Sequence, residues 1–132
     1  MGPTTALFTD HYELTMVQAA LAAGTAFRRS VFELFGRRLP EGRRYGVVAG
    51  TGRALDAIEQ FRFDEEAVSF LLDAGVVNDD LAQWLADYRF TGDVWGYPDG
   101  EVYFPGSPVM VVEGTFAEAC LLETVLLSIF NY

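Results

Sequence analysis

The chain has 132 residues, about half of them apolar and including 11 Phe, 6 Tyr and 2 Trp, which is enough for one domain with a core and excludes general disorder. A net charge of −10 argues against a nucleic-acid binder or a membrane-surface binder. The single cysteine excludes an intramolecular disulfide, and neither a basic N-terminal stretch followed by an apolar run nor an apolar run of about 18 residues occurs, so we expect neither a signal peptide nor a membrane span. We therefore expect a cytoplasmic protein with no membrane partner.

The stretch 7–24 predicts an amphipathic helix. Thr9 and Asp10 are both candidate N-caps, and with Asp10 as the cap Glu13 completes an Asp version of the capping box. Gly24 is typical of a left-handed helix stop. The core face is predicted from apolar residues at helical spacing, namely Leu14, Val17 and Leu21.

Two strands and three short helices are expected next. The strands are predicted at 30–37, largely buried, and at 45–50, on either side of an arginine-rich Pro/Gly loop. The helices are predicted from Gly50 and Thr51 to about Phe61, from the cap Asp64 to Gly75, and after the cap Asn78.

From Phe90 to Gly114 the pattern changes to strands and turns. Pro98, Asp99 and Gly100 form a turn signal, because Pro fixes φ and Gly accepts a positive φ. The alternation of Val94 and Gly96 before this turn with Val102 and Phe104 after it predicts a β-hairpin. A further strand is expected at 109–114.

The last segment, "TFAEACLLETVLLSIFNY", predicts one helix that is apolar on nearly every face and therefore buried. Cys120 is expected to be a small core residue. Because the helix runs to Tyr132 without a stop signal, we expect that the chain is cut there or that a partner covers its end. The isolated chain is then predicted to self-associate through residues 117–132.

Positive charge is concentrated in one region. Seven of the nine arginines fall within 26 residues and fit either a solvated loop or a phosphate or diphosphate site: Arg28, Arg29, Arg37, Arg38, Arg43, Arg44 and Arg53. "GTGRAL" at Gly50 fits a tight turn better than an anion site. Neither a zinc pattern nor a nucleotide-binding loop occurs. For Tyr12 the residues alone favour a partly buried tyrosine over an aromatic platform for a planar ligand.

Four blocks, in order, resemble the nicotinate phosphoribosyltransferase family. They are "LFTDHYELTMVQA", which resembles the pattern TD-x-Y-x-LTM, "FELFGRRLP", "FTGDVWGYPDGEVYFPGSPVMVVEG" and "ETVLLSIFNY". Each block alone is weak, but four in sequence are a specific signal.

The resemblance implies an α+β fold of the hammerhead type over residues 1–132, with residues 116–132 the helix that leads to an α/β barrel. It implies glycosyl transfer between nicotinate and phosphoribosyl diphosphate, giving nicotinate mononucleotide and diphosphate in NAD biosynthesis. ATP hydrolysis through a phosphorylated histidine and Mg²⁺ as cofactor are implied too. Family enzymes are homodimers whose sites lie between one subunit's barrel and the other's N-terminal domain.

Site residues follow from the same resemblance. Tyr12 matches the tyrosine that stacks on the pyridine ring across the dimer, and Asp10 matches an acidic residue that orients this helix start. Arg37 matches an arginine near the phosphates, although Gly36 replaces an aromatic residue common there. His11 occupies a variable position of the signature, so no catalytic residue and no metal ligand are assigned to this chain.

Because the family's barrel is absent after Tyr132, the fragment is expected to be inactive alone. A nicotinamide or quinolinate phosphoribosyltransferase stays as an alternative within the class. The alternative outside it is a non-catalytic, truncated module that binds a partner through the terminal helix.

Overall fold

The computed structural model describes residues 6–131, with the backbone alone for Phe8, as an α+β arrangement. After a 3₁₀ turn at Ala6–Phe8, the helices are α1 (His11–Ala23), α2 (Thr51–Glu59), α3 (Glu65–Asp73), α4 (Asp79–Ala86), α5 (Phe116–Cys120) and α6 (Glu123–Asn131). The strands are β1 (Arg29–Phe35), β2 (Gly46–Val47), β3 (Asp93–Gly96), β4 (Val102–Tyr103) and β5 (Pro108–Thr115). Within residues 6–131, no helix combines the length and apolarity needed to cross a bilayer.

The strands form two antiparallel sheets. The larger has the order β1-β5-β3, and the smaller pairs β2 with β4. Across the larger sheet Phe32, Val112 and Val94 lie opposite one another and point to the same face, since directly paired residues share a face. That face packs into the core with the apolar faces of the helices.

The other face of this sheet is open, so the prediction of a largely buried β1 was wrong. Burial alternates along β1, and Val31 is 57% exposed. Beside it Arg29 donates to the Glu113 carboxylate over 3.0 Å. Within the described residues only one face of the sheet has helices against it, which explains the alternation.

The predicted hairpin was also wrong. β3 pairs with β5, and β4 pairs with β2, so the turn connects two different sheets. The physical reason is that the turn's polar groups are bonded elsewhere. The Val48 N–H donates to the Glu101 carbonyl over 2.7 Å, and the Gly100 N–H donates to the Val48 carbonyl over 2.8 Å.

The local stop and start signals are confirmed. Gly24 ends α1 in the left-handed region at φ 78°. Asp64 Oδ1 accepts from the Ala67 N–H, and Asn78 Oδ1 accepts from the Leu81 N–H, each over 2.8 Å. The second strand is shorter than predicted, because only Gly46–Val47 pairs.

The terminal segment is two helices, not one. α5 ends at Cys120 and α6 begins at Glu123, while Tyr132 lies outside the described residues, as do residues 1–5 of the predicted domain. Cys120 is buried as predicted, and burial raises its pKa to about 11. Most apolar side chains from Ala117 to Leu126 pack within this domain. Self-association through this segment therefore stays a prediction, and among the described residues of the segment Leu127 is the large apolar side chain most exposed for such a contact.

Candidate functional site

The N-terminal ends of α1 and α6 meet in a hydrogen-bonded group of side chains, here called the clasp. Its members come from the first block of the sequence and from the middle of the terminal apolar segment. They are Thr9, Asp10, Tyr12, Glu13, Glu123 and Thr124.

Glu13 is the centre of the clasp and is fully buried. Its Oε1 accepts from the Thr124 N–H over 3.1 Å, and its Oε2 accepts from the Thr9 hydroxyl. Burial raises the pKa of Glu13, against hydrogen bonds that favour the charged form. Since Thr124 is the second residue of α6, the Glu13 carboxyl also caps a free N–H of that helix.

The Thr124 hydroxyl lies between two carboxyl groups. It is 2.6 Å from Glu13 Oε1 and 3.0 Å from Asp10 Oδ2. A hydroxyl carries one proton, so the two carboxyl groups share a single donor, and the shorter of the two contacts is the one to Glu13.

Asp10 occupies the N-cap position with extended backbone, but its side chain makes no capping bond. The predicted capping box was therefore wrong. Both carboxyl groups accept from the Thr124 hydroxyl of α6, and Glu13 also accepts from the hydroxyl of Thr9, just before α1. The competing partner was 111 residues away for Glu13, beyond the reach of a local motif.

Tyr12 reaches from α1 to the first residue of α6. Its hydroxyl donates to Glu123 Oε1 over 2.7 Å, while 47% of the residue is exposed. Among the described residues its ring makes no ring–ring contact. The pKa of Tyr12 is raised well above its ordinary value, first by this hydrogen bond and then by burial and by nearby carboxylates.

Arg37 is not brought to the clasp. It lines a cavity of about 700 Å³ with Phe130 and Asn131, at the far end of α6. α6 advances about 12 Å from Glu123 to Asn131, so within one chain Tyr12 and Arg37 belong to separate places. In the part of the chain described here, Arg37 is exposed and makes no hydrogen bond or ion pair.

The seven clustered arginines likewise do not converge on one site. Arg29 and Arg37 lie at opposite ends of β1, which extends about 20 Å from Arg29 to Phe35. Arg29 is paired with Asp93 and Glu113 on the open face of the sheet. The arginines that are clustered in sequence therefore do not all belong to one site.

The glycine-rich start of α2 is occupied by the chain's own carboxylate. Asp99 Oδ1 accepts from the N–H groups of Gly50 and Thr51 over 2.7 and 2.8 Å, and Oδ2 accepts from that of Gly52 over 3.2 Å. These backbone donors lower the pKa of Asp99. The tight-turn interpretation of "GTGRAL" is favoured, since its anion-binding donors are bonded internally.

Replacing Asp99 with Asn should lower the thermal midpoint by a few degrees at neutral pH, because one capping acceptor becomes a donor facing N–H groups. The folded-state pKa lies below the ordinary value of 3.8, so the stabilisation is present above that pH and is lost as pH falls through the folded pKa. Melting curves from pH 7 to pH 2 test this. The natural chain should approach the variant at low pH, whereas the exposed-site control Asp73→Asn should keep the natural profile.

Sequence reasoning missed Glu118, which is also buried. Desolvation raises its pKa, but hydrogen bonds from Thr115 and Thr91 outweigh that effect and leave the pKa lowered. The Thr115 hydroxyl donates to Glu118 Oε2 over 2.7 Å, and the Thr91 N–H donates to Oε1 over 2.8 Å. The signal was present, since Thr115 and Glu118 have capping-box spacing before an apolar run. With all these bonds internal, this carboxylate is structural.

Glu123 and Thr124 were missed as site residues as well. Their signal was a polar pair in the middle of the otherwise apolar run "CLLETVLL". Within residues 6–131, no group of three or more His, Cys, Asp or Glu side chains is arranged to hold a metal ion. What the clasp offers is a partly exposed aromatic ring whose hydroxyl is fixed.

Comparison with known proteins gives a consistent result over nearly the whole chain. Residues 7–131 match the family model of the nicotinate phosphoribosyltransferase N-terminal domain. Nicotinate phosphoribosyltransferase pncB1 of Mycobacterium tuberculosis is 58% identical over 126 residues, which cover 96% of this chain and 28% of that protein. The Bacillus subtilis nicotinate phosphoribosyltransferase is 37% identical, with 96% and 26% covered.

The fold gives the same match. The crystal structure of human nicotinic acid phosphoribosyltransferase superposes with a TM-score of 0.82 at 31% identity, covering 92% of this chain and 25% of that one. The chain thus spans little more than a quarter of the length of the relatives it matches.

Proposed function

The chain belongs to the nicotinate phosphoribosyltransferase family, whose N-terminal domain it matches, and from this premise we propose that it serves that enzyme's reaction in NAD biosynthesis. The lone pair of the nicotinate nitrogen forms a bond to C1 of the ribose of phosphoribosyl diphosphate. The C1–O bond breaks, and its electron pair leaves with diphosphate. The products are nicotinate mononucleotide and diphosphate.

In this proposal the domain contributes binding and orientation. Tyr12 supplies an aromatic surface for the pyridine ring, which holds the attacking nitrogen in place and excludes water from one face. Asp10 helps to hold the start of α1 through Thr124. Arg37 contacts a phosphate group, where a guanidinium stabilises charge on the leaving diphosphate.

The observation that carries the proposal is the state of Tyr12. A tyrosine that is 47% exposed does not need a fixed ring for core packing, yet its hydroxyl is bonded to Glu123 beside the buried Glu13. A ring fixed at both ends with part of its surface free is suited to stacking on a planar substrate.

The rest of the site is proposed to lie outside this domain. Tyr12 and Arg37 lie at opposite ends of α6. Two sites per homodimer, each completed by a barrel and by the N-terminal domain of the other subunit, would let both residues act although they are far apart in one chain. Nicotinate and phosphoribosyl diphosphate are the proposed small-molecule partners.

Mg²⁺ and ATP belong to the same proposal but not to this domain. The described residues provide no cluster of metal ligands, so they do not fit a magnesium site. His11 is exposed at the start of α1, and we assign it no phosphoryl transfer. When bound elsewhere, the metal would supply positive charge for the diphosphate oxygens.

In the full-length protein, Tyr12→Ala should raise the KM for nicotinate about tenfold to a hundredfold, because the stacking surface is lost. The midpoint of thermal unfolding should change little, since the ring is half exposed. Steady-state formation of nicotinate mononucleotide at varied nicotinate tests this. It also separates an enzyme from a non-catalytic module, which would form no product.

Tyr97→Ala is the matched control, because Tyr97 is exposed to a similar extent, 43%, and lies outside the clasp. It should leave the KM for nicotinate as it is. A nicotinate KM unchanged by Tyr12→Ala would remove the stacking role. Faster turnover of nicotinamide or quinolinate than of nicotinate would assign the protein to the other substrate.

A further inference from the structure

Resting on the proposed function, we infer that Glu123 is a positioning residue for the reaction, which orients and polarises the Tyr12 ring on which the pyridine stacks. It would not itself contact the substrate. Its action on catalysis would pass through the Tyr12 hydroxyl, at the 2.7 Å contact between that hydroxyl and Glu123 Oε1.

Geometry gives the first argument. Tyr12 is attached to α1 at its Cα and bonded to α6 at its hydroxyl, so both ends of the ring axis are held. Without Glu123 a half-exposed tyrosine would sample other rotamers and would have to be ordered when substrate binds, at a cost in side-chain entropy. The hydrogen bond makes that ordering a property of the free protein.

The acceptor itself is held firmly. Glu123 is followed by Thr124, whose N–H and hydroxyl contact Glu13 at 3.1 and 2.6 Å. Glu13 is fully buried and lies one residue after Tyr12 in α1. The first turns of the two helices are thus joined beside the tyrosine–glutamate pair, which fixes the distance that the pair must span.

Charge gives the second argument. The contact with Glu123 raises the pKa of Tyr12, so the phenol keeps its proton and donates it to Glu123 Oε1. A hydrogen bond to a carboxylate is a strong one, and it makes the phenol ring richer in electrons. The nicotinate ring becomes a pyridinium as its nitrogen bonds to the ribose, and a cation is attracted to an electron-rich ring face.

This attraction grows between bound substrate and product. An interaction that strengthens along the reaction lowers the barrier rather than only tightening the substrate complex. Loss of Glu123 should therefore reduce kcat as well as raise the KM for nicotinate. The KM for phosphoribosyl diphosphate should stay as it is.

The experiment uses the full-length protein with Glu123→Ala, Glu123→Gln, Tyr12→Phe and the double variant Tyr12→Phe/Glu123→Ala. Tyr12→Phe keeps the ring and removes the hydroxyl. Each of Tyr12→Phe and Glu123→Ala should lower kcat/KM for nicotinate about threefold to tenfold, as for one lost hydrogen bond. The double variant should be no worse than either, because both remove the same contact.

Two comparisons separate positioning from a structural role. Glu123→Gln keeps an uncharged acceptor for the Tyr12 hydroxyl. Compared with Glu123→Ala, its KM for nicotinate should return closer to the natural value than its kcat does. Glu33→Ala removes an exposed carboxylate from β1, far from the clasp, and should leave both constants unchanged. All variants are compared at equal folded fraction, checked by thermal melting.

The outcomes distinguish this inference from the proposed function. If Tyr12→Ala weakens nicotinate use but Tyr12→Phe and Glu123→Ala behave like the natural protein, the proposed function stands and the inference is overturned. Additive effects in the double variant also overturn it. If Tyr12→Ala itself changes nothing, the stacking proposal fails, and the inference fails with it.

Discussion

Glu13→Ala is expected to lower the free energy of unfolding by about 4 kcal/mol, which would leave a domain of this size marginal or unfolded. The side chain is fully buried at the joint between α1 and α6, so its removal leaves a cavity. It also leaves the Thr124 N–H without its acceptor and the Thr9 hydroxyl without its partner. Urea unfolding followed by fluorescence of Trp84 and Trp95 measures the effect.

Glu13→Gln is the matched control, because it keeps the volume and an acceptor for the Thr124 N–H. The pKa of Glu13 is raised in the folded state above the ordinary 4.5, so the folded protein binds the proton more tightly than the unfolded one. The natural chain should therefore lose stability relative to the Gln variant as pH rises from 4.5 through the folded pKa. Equal free energies of unfolding for the natural chain and Glu13→Ala would contradict the role of Glu13 in joining α1 to α6.

Gly92→Ala is expected to lower the free energy of unfolding by about 3 kcal/mol or more. A Cβ at this position would lie 2.0 Å from the Glu113 carbonyl oxygen and 2.9 Å from the Phe90 ring. The nearer group is backbone of the central strand β5, which cannot rotate away, so β3 and β5 would have to separate. Gly92 lies directly before β3, in the block "FTGDVWGYPDGEVYFPGSPVMVVEG". The same urea titration measures it.

Gly96→Ala, four residues later, controls for loss of backbone freedom alone. Its Cβ would meet the Val109 carbonyl oxygen at 3.4 Å and the Met110 side chain at 3.5 Å, which are tight to ordinary contacts. It should cost less than about 1 kcal/mol. If the two alanine variants were equally stable, close approach of β3 to β5 would not explain the glycine.

What could be predicted from sequence was local. The caps Asp64 and Asn78 bond to N–H groups three residues away, and Gly24 stops α1 through its own φ angle. Each of these depends on neighbours inside one window of sequence, which a pattern can contain.

What could not be predicted depended on distant partners. Asp99 lies in a sequence typical of a hairpin turn, but its carboxylate accepts from the first N–H groups of α2, about 50 residues away in sequence. The strands on either side of this turn belong to different sheets. Asp10 and Glu13 have the spacing of a capping box but bond to Thr124. In both cases the carboxylates accept from distant donors, which only the folded chain brings near, instead of from the partners that the local motif predicts.

The candidate site was predicted in part. On residues alone Tyr12 had a structural interpretation as well as a functional one, and only the family resemblance singled it out. The structure adds Glu123 and the clasp, which no spacing rule indicates. It also separates Tyr12 from Arg37, which the resemblance had placed in one site without saying how far apart they are in one chain.

The central claim is that Tyr12 stacks on nicotinate in a site that other parts of the enzyme complete. A crystal structure of the full-length protein with nicotinate bound tests it most directly. We expect the Tyr12 ring and the pyridine ring to be stacked with an offset, with centroids about 4.5–7 Å apart and the Tyr12 hydroxyl still bonded to Glu123. Nicotinate bound with the Tyr12 ring in solvent would contradict the account.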